Sequence, residues 1–237
     1  MTRVALLRYP GTWSERDFEH AFSLVPEVET EILWHEEADL RGFDAVIVPG
    51  GFTYGDYLRA GAIAKISPAT KALRRFADEG KPVLGSCNGF QILCEAGLLP
   101  GALLRNAGLE YRCDWIHVRV EQERTPWTAA LAGKVLRMPI GHGEGCYVAD
   151  PDTIASLEES GRVVFRYTDA RGAATLESNP NGSTSNIAGV MNEAGNVVGL
   201  MPHPERCVEA LLGGTDGSQI LANLTGALAG TAPAIYR

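Results

Sequence analysis

The sequence predicts an α/β fold in which helices cover both faces of a parallel β-sheet. In the first half of the chain, apolar segments typical of buried strands alternate with amphipathic segments. After about Gly101 the segments are strand-like and separated by turns, which predicts additional strands in the second half. The length of 237 residues suits one large α/β domain, residues 1–237.

Four strands and three helices are predicted in the first half. Phe18, Phe22 and Val25 recur at helical spacing, and Ser14 and Ser67 are placed as N-caps. A proline follows Ser67 at the first helical position, as is common. The predicted strands are 3–9, 28–35, 43–51 and 81–87, and the predicted helices are 14–25, 67–80 and 88–97.

The second half is predicted to be rich in strands. These cover residues 110–121, 134–142, 162–169 and 187–201, the last as a hairpin around "NEAGN". A helix is predicted over 216–228, because Asp216 and Gln219 have the spacing of a capping box.

Composition and charge exclude several classes of function. The net charge is −8 and there is no Lys/Arg-rich run, which argues against nucleic acid or an anionic membrane as a partner. No segment approaches the roughly 18 apolar residues of a membrane span, and no signal peptide is expected. Five cysteines without a C-x-x-C pair argue against disulfides and a zinc ribbon, so a reducing cytoplasm is expected.

Cys87 is the candidate nucleophile. It lies in "GSCNG", a G-x-C-x-G pattern between a predicted strand and a predicted helix, which is the cysteine form of a nucleophile elbow. Such a turn exposes the sulfur at the carboxyl end of the strand, where open α/β sheets bind ligands. The helix N-terminus favours a thiolate, and the Asn88 N–H would point toward an oxyanion. The alternative is that Cys87 is a buried core residue, which is the interpretation given to the other four cysteines.

The segment "MPHPER" supplies a candidate base and its orienting group. His203 and Glu205 follow an apolar strand, and residues two apart in an extended segment point the same way. Glu205 could therefore bind one ring nitrogen of His203 and leave the other for the thiol. A second H-x-E pair, His142 and Glu144, leaves open a metal site made of the two pairs, although the spacing does not require one.

A Gly-Gly turn after the third predicted strand is suited to backbone anion binding. Gly50 and Gly51 leave their N–H groups free of side chains, although this pattern alone is weak. Neither a P-loop nor a G-x-G-x-x-G motif after a strand is present, so the sequence suggests no ATP or dinucleotide site.

These motifs, in this order, resemble the class I (triad) glutamine amidotransferases. The longer segments "PGGFTYGDYLRAGAIA", "CNGFQIL", "LLPGALLRN", "HGEG", "NPNGS" and "MPHPER" are similar to the PurQ family, the glutaminase subunits of phosphoribosylformylglycinamidine synthase. The similarity runs from about Val4 to Leu228. Ser86 and Gly141 stand where the family more often has Val and Ala, and neither is expected to touch the chemistry.

The resemblance implies a doubly wound, flavodoxin-like sheet with extra antiparallel strands and assigns roles to six residues. Cys87 would form a γ-glutamyl thioester, His203 would transfer protons, and Glu205 would orient His203. The backbone N–H groups of Gly51 and Asn88 would stabilise oxyanions. Gln91 would help to form the glutamine pocket.

The resemblance also implies partners. The substrate would be glutamine, and the ammonia would pass to an ATP-dependent synthetase subunit, with a small bridging subunit in the same complex. The chain itself would need no cofactor or metal, because ATP and magnesium would belong to the synthetase. The segment 49–64 is the expected relay of partner binding, since its glycines allow backbone rearrangement.

Three other hypotheses are compared with this one. The PfpI-like hydrolases also carry a cysteine elbow, but they usually have His where this chain has Asn88. A non-catalytic, glutaminase-like binding module should have lost part of the triad, whereas none is lost here. A metal-binding regulator would use the two H-x-E pairs, and metal analysis of the purified protein would test it.

Overall fold

A nine-stranded sheet forms the centre of the computed structural model, which describes residues 1–229. The strands are β1 (Thr2–Arg8), β2 (Val28–Trp34), β3 (Ala45–Val48), β4 (Val83–Ser86), β5 (Ala102–Leu104), β6 (Arg112–Val120), β7 (Val135–His142), β8 (Cys146–Val148), β9 (Val163–Thr168), β10 (Ile187–Met191) and β11 (Val197–Leu200). The helices are α1 (Glu15–Ser23), α2 (Pro68–Asp78), α3 (Asn88–Glu95), α4 (Pro151–Glu159) and α5 (Asp216–Leu228).

The sheet has a parallel half and an antiparallel half. Its order over the described residues is β2-β1-β3-β4-β11-β10-β9-β6-β7. The first five strands in this order are mutually parallel, and the pairs beyond β11 are antiparallel. The parallel half has the strand order of the flavodoxin-like sheet. The predicted α/β class, with added antiparallel strands, is confirmed, and β5 and β8 form a separate two-stranded sheet.

Two apolar layers cover the sheet. On β1, Val4 and Leu6 pack in the layer that contains residues of α1 and α5, whereas Ala5 and Leu7 pack in the layer that contains residues of α2 and α3. This alternation is what a strand buried on both faces requires, because successive side chains point to opposite faces. None of the helices within residues 1–229 is both long and apolar enough to cross a membrane.

Ser14 and Ser67 precede α1 and α2 as predicted, but neither side chain caps its helix. The Ser14 hydroxyl instead accepts the Gly50 N–H at 2.7 Å, and the Ser67 hydroxyl donates to the His35 carbonyl at 3.2 Å. Both serines are buried, so these tertiary partners compete successfully with the local cap.

The predicted capping box of α5 does not form, because the Asp216 carboxylate accepts the backbone N–H of Arg137 at 2.7 Å. A side-chain cap is found instead on α4, which the sequence analysis missed. There the Asp150 carboxylate accepts the Thr153 N–H at 2.9 Å. Helix α4 has weak apolar periodicity, since Leu157 is its one buried residue. The predicted single domain, 1–237, includes eight residues outside the described range.

Candidate active site

Cys87 lies at a sharp turn between β4 and α3. Its backbone φ of 50° and ψ of −107° place it in a conformation that L-residues rarely adopt. The flanking glycines are required by close packing. A Cβ on Gly85 would lie 2.7 Å from the Gly89 carbonyl carbon, and a Cβ on Gly89 would lie 1.8 Å from the Val48 oxygen. The predicted elbow is therefore present, and it holds Cys87 at the carboxyl end of a central strand.

The structure brings His203 and Glu205 to this turn. Strand β11 lies beside β4, so the segment after β11 emerges next to Cys87. Glu205 Oε1 lies 2.7 Å from His203 Nδ1, and the His203 ring lies beside Cys87, since both side chains border the Gly50 Cα. All three residues are buried. This is the arrangement of nucleophile, base and orienting carboxylate that the two motifs predicted.

The environment of His203 favours its protonated form. Burial alone would lower its pKa, but the neighbouring charges of Glu205 and Cys87 outweigh burial and raise the pKa of His203 above its ordinary value. An imidazolium beside the Glu205 carboxylate follows from this balance. Such a histidine is ready to donate a proton.

Ser86 touches the triad, contrary to the expectation from the sequence. Its hydroxyl lies 3.3 Å from Glu205 Oε2 and 3.3 Å from the Pro202 carbonyl oxygen. Because Glu205 is 1% exposed, the protein itself must satisfy both of its carboxylate oxygens. His203 satisfies one oxygen and Ser86 contacts the other. The sequence could not reveal this contact, since the two residues are far apart in the chain. The same expectation for Gly141 was also wrong, because its carbonyl oxygen lies 3.7 Å from Cys87 Sγ.

Two backbone N–H groups near Cys87 are free to bind an anion. Among the described residues, neither the Gly51 nor the Asn88 N–H has a hydrogen-bond acceptor. Gly51 lines the cavity that contains Cys87, and Asn88 begins α3 directly after it. Both predicted oxyanion donors therefore lie at the reaction centre with unused hydrogen-bonding capacity.

A cavity of about 180 Å³ opens beside Cys87. It is lined by Gly51, Phe52, Asp56, Cys87, Gln91, Tyr111, Gly141, His142, Gly143 and Glu144. Gln91 forms part of its wall, because its amide donates to the Glu144 carbonyl at 2.6 Å and accepts from the Asn88 amide at 2.8 Å. Gln91 thus joins the elbow helix to the "HGEG" segment.

Two carboxylates, Asp56 and Glu144, line this cavity. Glu144 was a candidate metal ligand from the sequence, and no role was predicted for Asp56. Asp56 Oδ1 is inaccessible to solvent and has no hydrogen-bond partner. Burial, together with the charge of Glu144, raises the pKa of Asp56 to about 6. Glu144 Oε2 accepts the Ala60 N–H at 3.3 Å. A cavity with two acids and an unpartnered carboxylate oxygen is suited to a cationic group on its ligand.

His142 supports the cavity wall. Its Nδ1 lies 3.1 Å from the Asn106 side-chain oxygen, which also accepts the Gly145 N–H. Burial, with a smaller contribution from His203, lowers the pKa of His142 to about 4. Within residues 1–229, no group of three or more His, Cys, Asp or Glu side chains is arranged to hold a metal ion. The two H-x-E pairs have separate hydrogen-bond partners.

The remaining cysteines differ from Cys87. Cys94, Cys146 and Cys207 are buried, and burial raises the pKa of each thiol, which makes them poor nucleophiles. Cys113 is exposed on β6, so its assignment to the core was wrong. All five cysteines are free.

Comparisons with known proteins identify the family of the chain. Residues 1–220 match the model of the CobB/CobQ-like glutamine amidotransferase domain. A relative from Thermomicrobium roseum, named phosphoribosylformylglycinamidine synthase subunit PurQ, is 57% identical over 94% of each chain. The Thermus thermophilus protein of the same name is 55% identical over 91% of this chain and 94% of its own.

Solved structures give the same result. A chain of PurLQS from Thermotoga maritima superposes with a TM-score of 0.85 and 41% identity, covering 96% of this chain and 99% of that one. A second Thermotoga maritima glutamine amidotransferase, at 18% identity and a TM-score of 0.59, covers 96% and 97% of the two chains and shares the fold. With the elbow, the triad and these near full-length matches together, the chain belongs to the PurQ family of glutamine amidotransferases.

Proposed function

We propose that this chain hydrolyses glutamine to glutamate and ammonia through a thioester at Cys87. The ammonia serves an ATP-dependent synthetase that converts formylglycinamide ribonucleotide to formylglycinamidine ribonucleotide in purine biosynthesis. The observation that carries the proposal is Cys87 on an elbow that opens into a small acidic cavity, beside His203 and its hydrogen-bonded partner Glu205. The names of the relatives support the pathway.

In the first half of the reaction, the Cys87 thiolate attacks the side-chain amide carbon of glutamine. The C=O electron pair moves to oxygen, and the resulting oxyanion is stabilised by the N–H groups of Gly51 and Asn88. His203 donates its proton to the nitrogen, the C–N bond breaks, and ammonia leaves a γ-glutamyl thioester. Glu205 stabilises the imidazolium and orients the ring.

In the second half, neutral His203 accepts a proton from water as the water oxygen attacks the thioester carbon. A second oxyanion forms at the same two N–H groups and collapses, so the C–S bond breaks and glutamate leaves. The thiolate and imidazolium are restored. Each step therefore uses one proton held by one histidine, with no metal required.

The two carboxylates of the cavity wall, Asp56 and Glu144, would recognise the α-ammonium group of glutamine. Asp56 and Glu144 line a cavity of about 180 Å³, which suits a single small ligand. The α-ammonium group of glutamine would pair with these carboxylates while the side-chain amide reaches Cys87. Its positive charge would also favour the ionised form of Asp56.

The ATP chemistry belongs to the partner. Converting an amide to an amidine requires activation of the amide oxygen, and this chain carries neither common phosphate-binding motif. We therefore assign ATP and magnesium to a synthetase subunit. The similarity to a chain of PurLQS supports a complex with that subunit and a small bridging subunit.

Replacing Cys87 with alanine tests the proposal in the reconstituted complex. We expect Cys87→Ala to abolish glutamine-dependent turnover, because only Cys87 among the cysteines lies on the elbow. Synthesis from high concentrations of added ammonium salt should persist, since the synthetase is intact. Cys113→Ala, at the exposed cysteine, is the matched control and should retain glutamine turnover. Undiminished glutamine use by Cys87→Ala would refute the thioester mechanism.

A further inference from the structure

The loop between β1 and α1 forms hydrogen bonds with the peptide that carries the Gly51 N–H. The Gly50 carbonyl oxygen accepts the backbone N–H groups of Trp13 and Ser14, each at 3.2 Å, and the Ser14 hydroxyl at 3.4 Å. The same hydroxyl accepts the Gly50 N–H at 2.7 Å. Ser14 therefore holds both peptide units that flank the Gly50 Cα.

Because the peptide unit is planar, these hydrogen bonds also fix the direction of the Gly51 N–H. The Gly50 C=O and the Gly51 N–H belong to one planar trans unit, in which they point in opposite directions. Fixing the carbonyl toward Trp13 and Ser14 therefore fixes the N–H toward the opposite side. Gly51 lines the Cys87 cavity, and its N–H has no acceptor among the described residues.

Gly50 itself lies directly against the reacting groups. A Cβ at this position would lie 2.9 Å from His203 Cε1 and 3.5 Å from Cys87 Cβ. A small rotation of the Gly50–Gly51 peptide would therefore change the distance between the Gly51 N–H and the substrate carbon that Cys87 attacks. Oxyanion stabilisation depends steeply on this geometry.

We propose that Ser14 is a positioning residue, which aims the Gly51 N–H at the oxyanion by holding the Gly50 peptide. The proposal rests on the proposed function, because it assumes a tetrahedral intermediate at Cys87. The position of Ser14 supports it further. Ser14 is fully buried at the N-cap of α1, yet its hydroxyl leaves the helix uncapped and binds Gly50.

The proposal predicts a specific kinetic signature. Ser14→Ala keeps the two backbone donors to the Gly50 carbonyl but removes both side-chain contacts. The ground-state amide gains little from the Gly51 N–H, whereas the oxyanion gains much. We therefore expect kcat to fall about tenfold, less than for complete loss of an oxyanion donor, with KM changed less than twofold.

Two reagents that react with Cys87 distinguish mispositioning of the Gly51 N–H from general damage to the pocket. Both are applied to the full chain with its synthetase partner. The aldehyde analogue of glutamine adds the Cys87 thiol across its C=O, so its oxygen occupies the oxyanion position. Iodoacetamide alkylates the same sulfur by displacing iodide and develops no oxyanion. Ser14→Ala should bind the aldehyde about tenfold more weakly, in step with kcat. Its rate of Cys87 alkylation, measured by mass spectrometry of the peptide, should stay within twofold of wild type.

The chain offers matched controls. Ser67→Ala removes another buried N-cap hydroxyl that does not cap its helix and should leave kcat and aldehyde affinity within twofold of wild type. Alkylation of exposed Cys113 is an internal reference within the same sample. Unchanged kcat and aldehyde affinity in Ser14→Ala would overturn the proposal. Equal losses of aldehyde affinity and alkylation rate would also overturn it, since they would indicate a damaged pocket. Absence of glutamine hydrolysis by the wild-type complex would instead refute the proposed function.

Discussion

At the residue scale, one buried carboxylate is shared between two partners. Glu205 contacts His203 through one oxygen and Ser86 through the other. A buried carboxylate without these contacts would lose its charge or destabilise the fold. The Ser86 hydroxyl has one proton and two acceptors, Glu205 and the Pro202 carbonyl, at equal distances. It can therefore favour either acceptor without moving the backbone.

Asp56 leads to a test of substrate recognition. We expect Asp56→Asn to raise KM for glutamine about tenfold, because a charge-assisted contact with the α-ammonium group is lost. Glutaramate, which is glutamine without its α-amino group, should be used equally poorly by the variant and the wild type. The measurement is glutamate or glutarate release over a range of substrate concentrations.

The comparison of substrates makes this test specific. Asp78→Asn, at an exposed carboxylate on α2, is the control and should leave both substrates unaffected. If Asp56→Asn raised KM for glutaramate as much as KM for glutamine, Asp56 would support the cavity wall and would not bind the ammonium group. The pKa of about 6 adds a second readout. Below that pH, protonation of Asp56 should raise KM for glutamine in the wild type.

The sequence was sufficient for the triad but not for these contacts. Cys87, His203 and Glu205 belong to short motifs whose geometry is local, so the spacing predicted their roles. Asp56 interacts with Glu144, which is 88 positions away, and Ser86 interacts with Glu205, which is 119 positions away. No pattern within either segment encodes such a pairing. Cys113 was misassigned for the same reason, because exposure depends on what packs over β6.

At the element scale, strand β7 explains why the "HGEG" segment reaches the nucleophile. Strand β7 ends at His142, which pairs with Arg112 at the start of β6. Although β7 is at the far edge of the sheet, its Pro139 carbonyl oxygen accepts the His203 N–H at 2.9 Å, which brings the end of β7 to the triad. The Cys87 thiol approaches the Gly141 carbonyl oxygen at 3.7 Å. The added strands therefore form one wall of the cavity.

The elements themselves were predicted unevenly, for physical reasons. Strands β1, β3, β4 and β11 of the parallel half are buried on both faces and appear as continuous apolar runs, so they were identified. Strands β5 and β8 have three residues each, too few for a periodic pattern, and α4 has a single buried residue. All three predicted caps were placed beside the correct helices, but tertiary partners took their side chains, at buried positions for Ser14 and Ser67 and at the surface for Asp216.

His142, at the end of β7, predicts a pH dependence of stability. Its folded pKa of about 4 lies below the ordinary value of 6.5, so between these values the unfolded state binds more protons. Stability should therefore fall as the pH drops from 6.5 to 4, by up to about 3 kcal/mol from this group. Urea unfolding of the wild type and His142→Gln across this range measures the contribution, and the variant should show a shallower slope.

A non-titratable residue on the neighbouring strand provides the control for this measurement. Val118→Ala truncates a buried side chain of β6, the strand paired with β7, without removing a titratable group, and should keep the slope of the wild type. A His142→Gln slope equal to that of the wild type would show that other groups dominate the acid sensitivity. Low absolute stability of His142→Gln is expected and does not affect the comparison of slopes, because its contacts with Asn106 also change.

At the scale of the whole molecule, the segment 49–64 divides into an anchored part and a strained part. The Gly50–Gly51 peptide is anchored by Trp13 and Ser14. Farther along, Tyr54, Asp56 and Leu58 have positive φ values of 55°, 53° and 71°. Such conformations cost free energy and are often found in switch regions. The expected relay of partner binding is therefore placed at residues 53–61, where it would move Asp56.

For the complex, we predict that the synthetase partner controls the glutaminase activity of this chain. We expect the isolated chain to release glutamate slowly and its synthetase partner to accelerate it, because ammonia released without an acceptor is wasted. Leu58 is 88% exposed beside Asp56 and is suited to an apolar contact with the partner. Leu58→Asn removes that contact while keeping a residue type that tolerates positive φ. The free-chain rate should stay the same, and the partner concentration for half-maximal stimulation should rise about tenfold.

The matched control is Leu211→Asn, at a leucine that is 96% exposed in the segment before α5. It should be stimulated like the wild type, so any general effect of losing an exposed leucine is accounted for. The measurement is glutamate release by the free chain, by the chain with synthetase, and by the full complex with acceptor and nucleotide. Equal turnover in all three would rule out gating. Stimulation that Leu58→Asn and Leu211→Asn alter equally would place the partner contact away from residues 53–61.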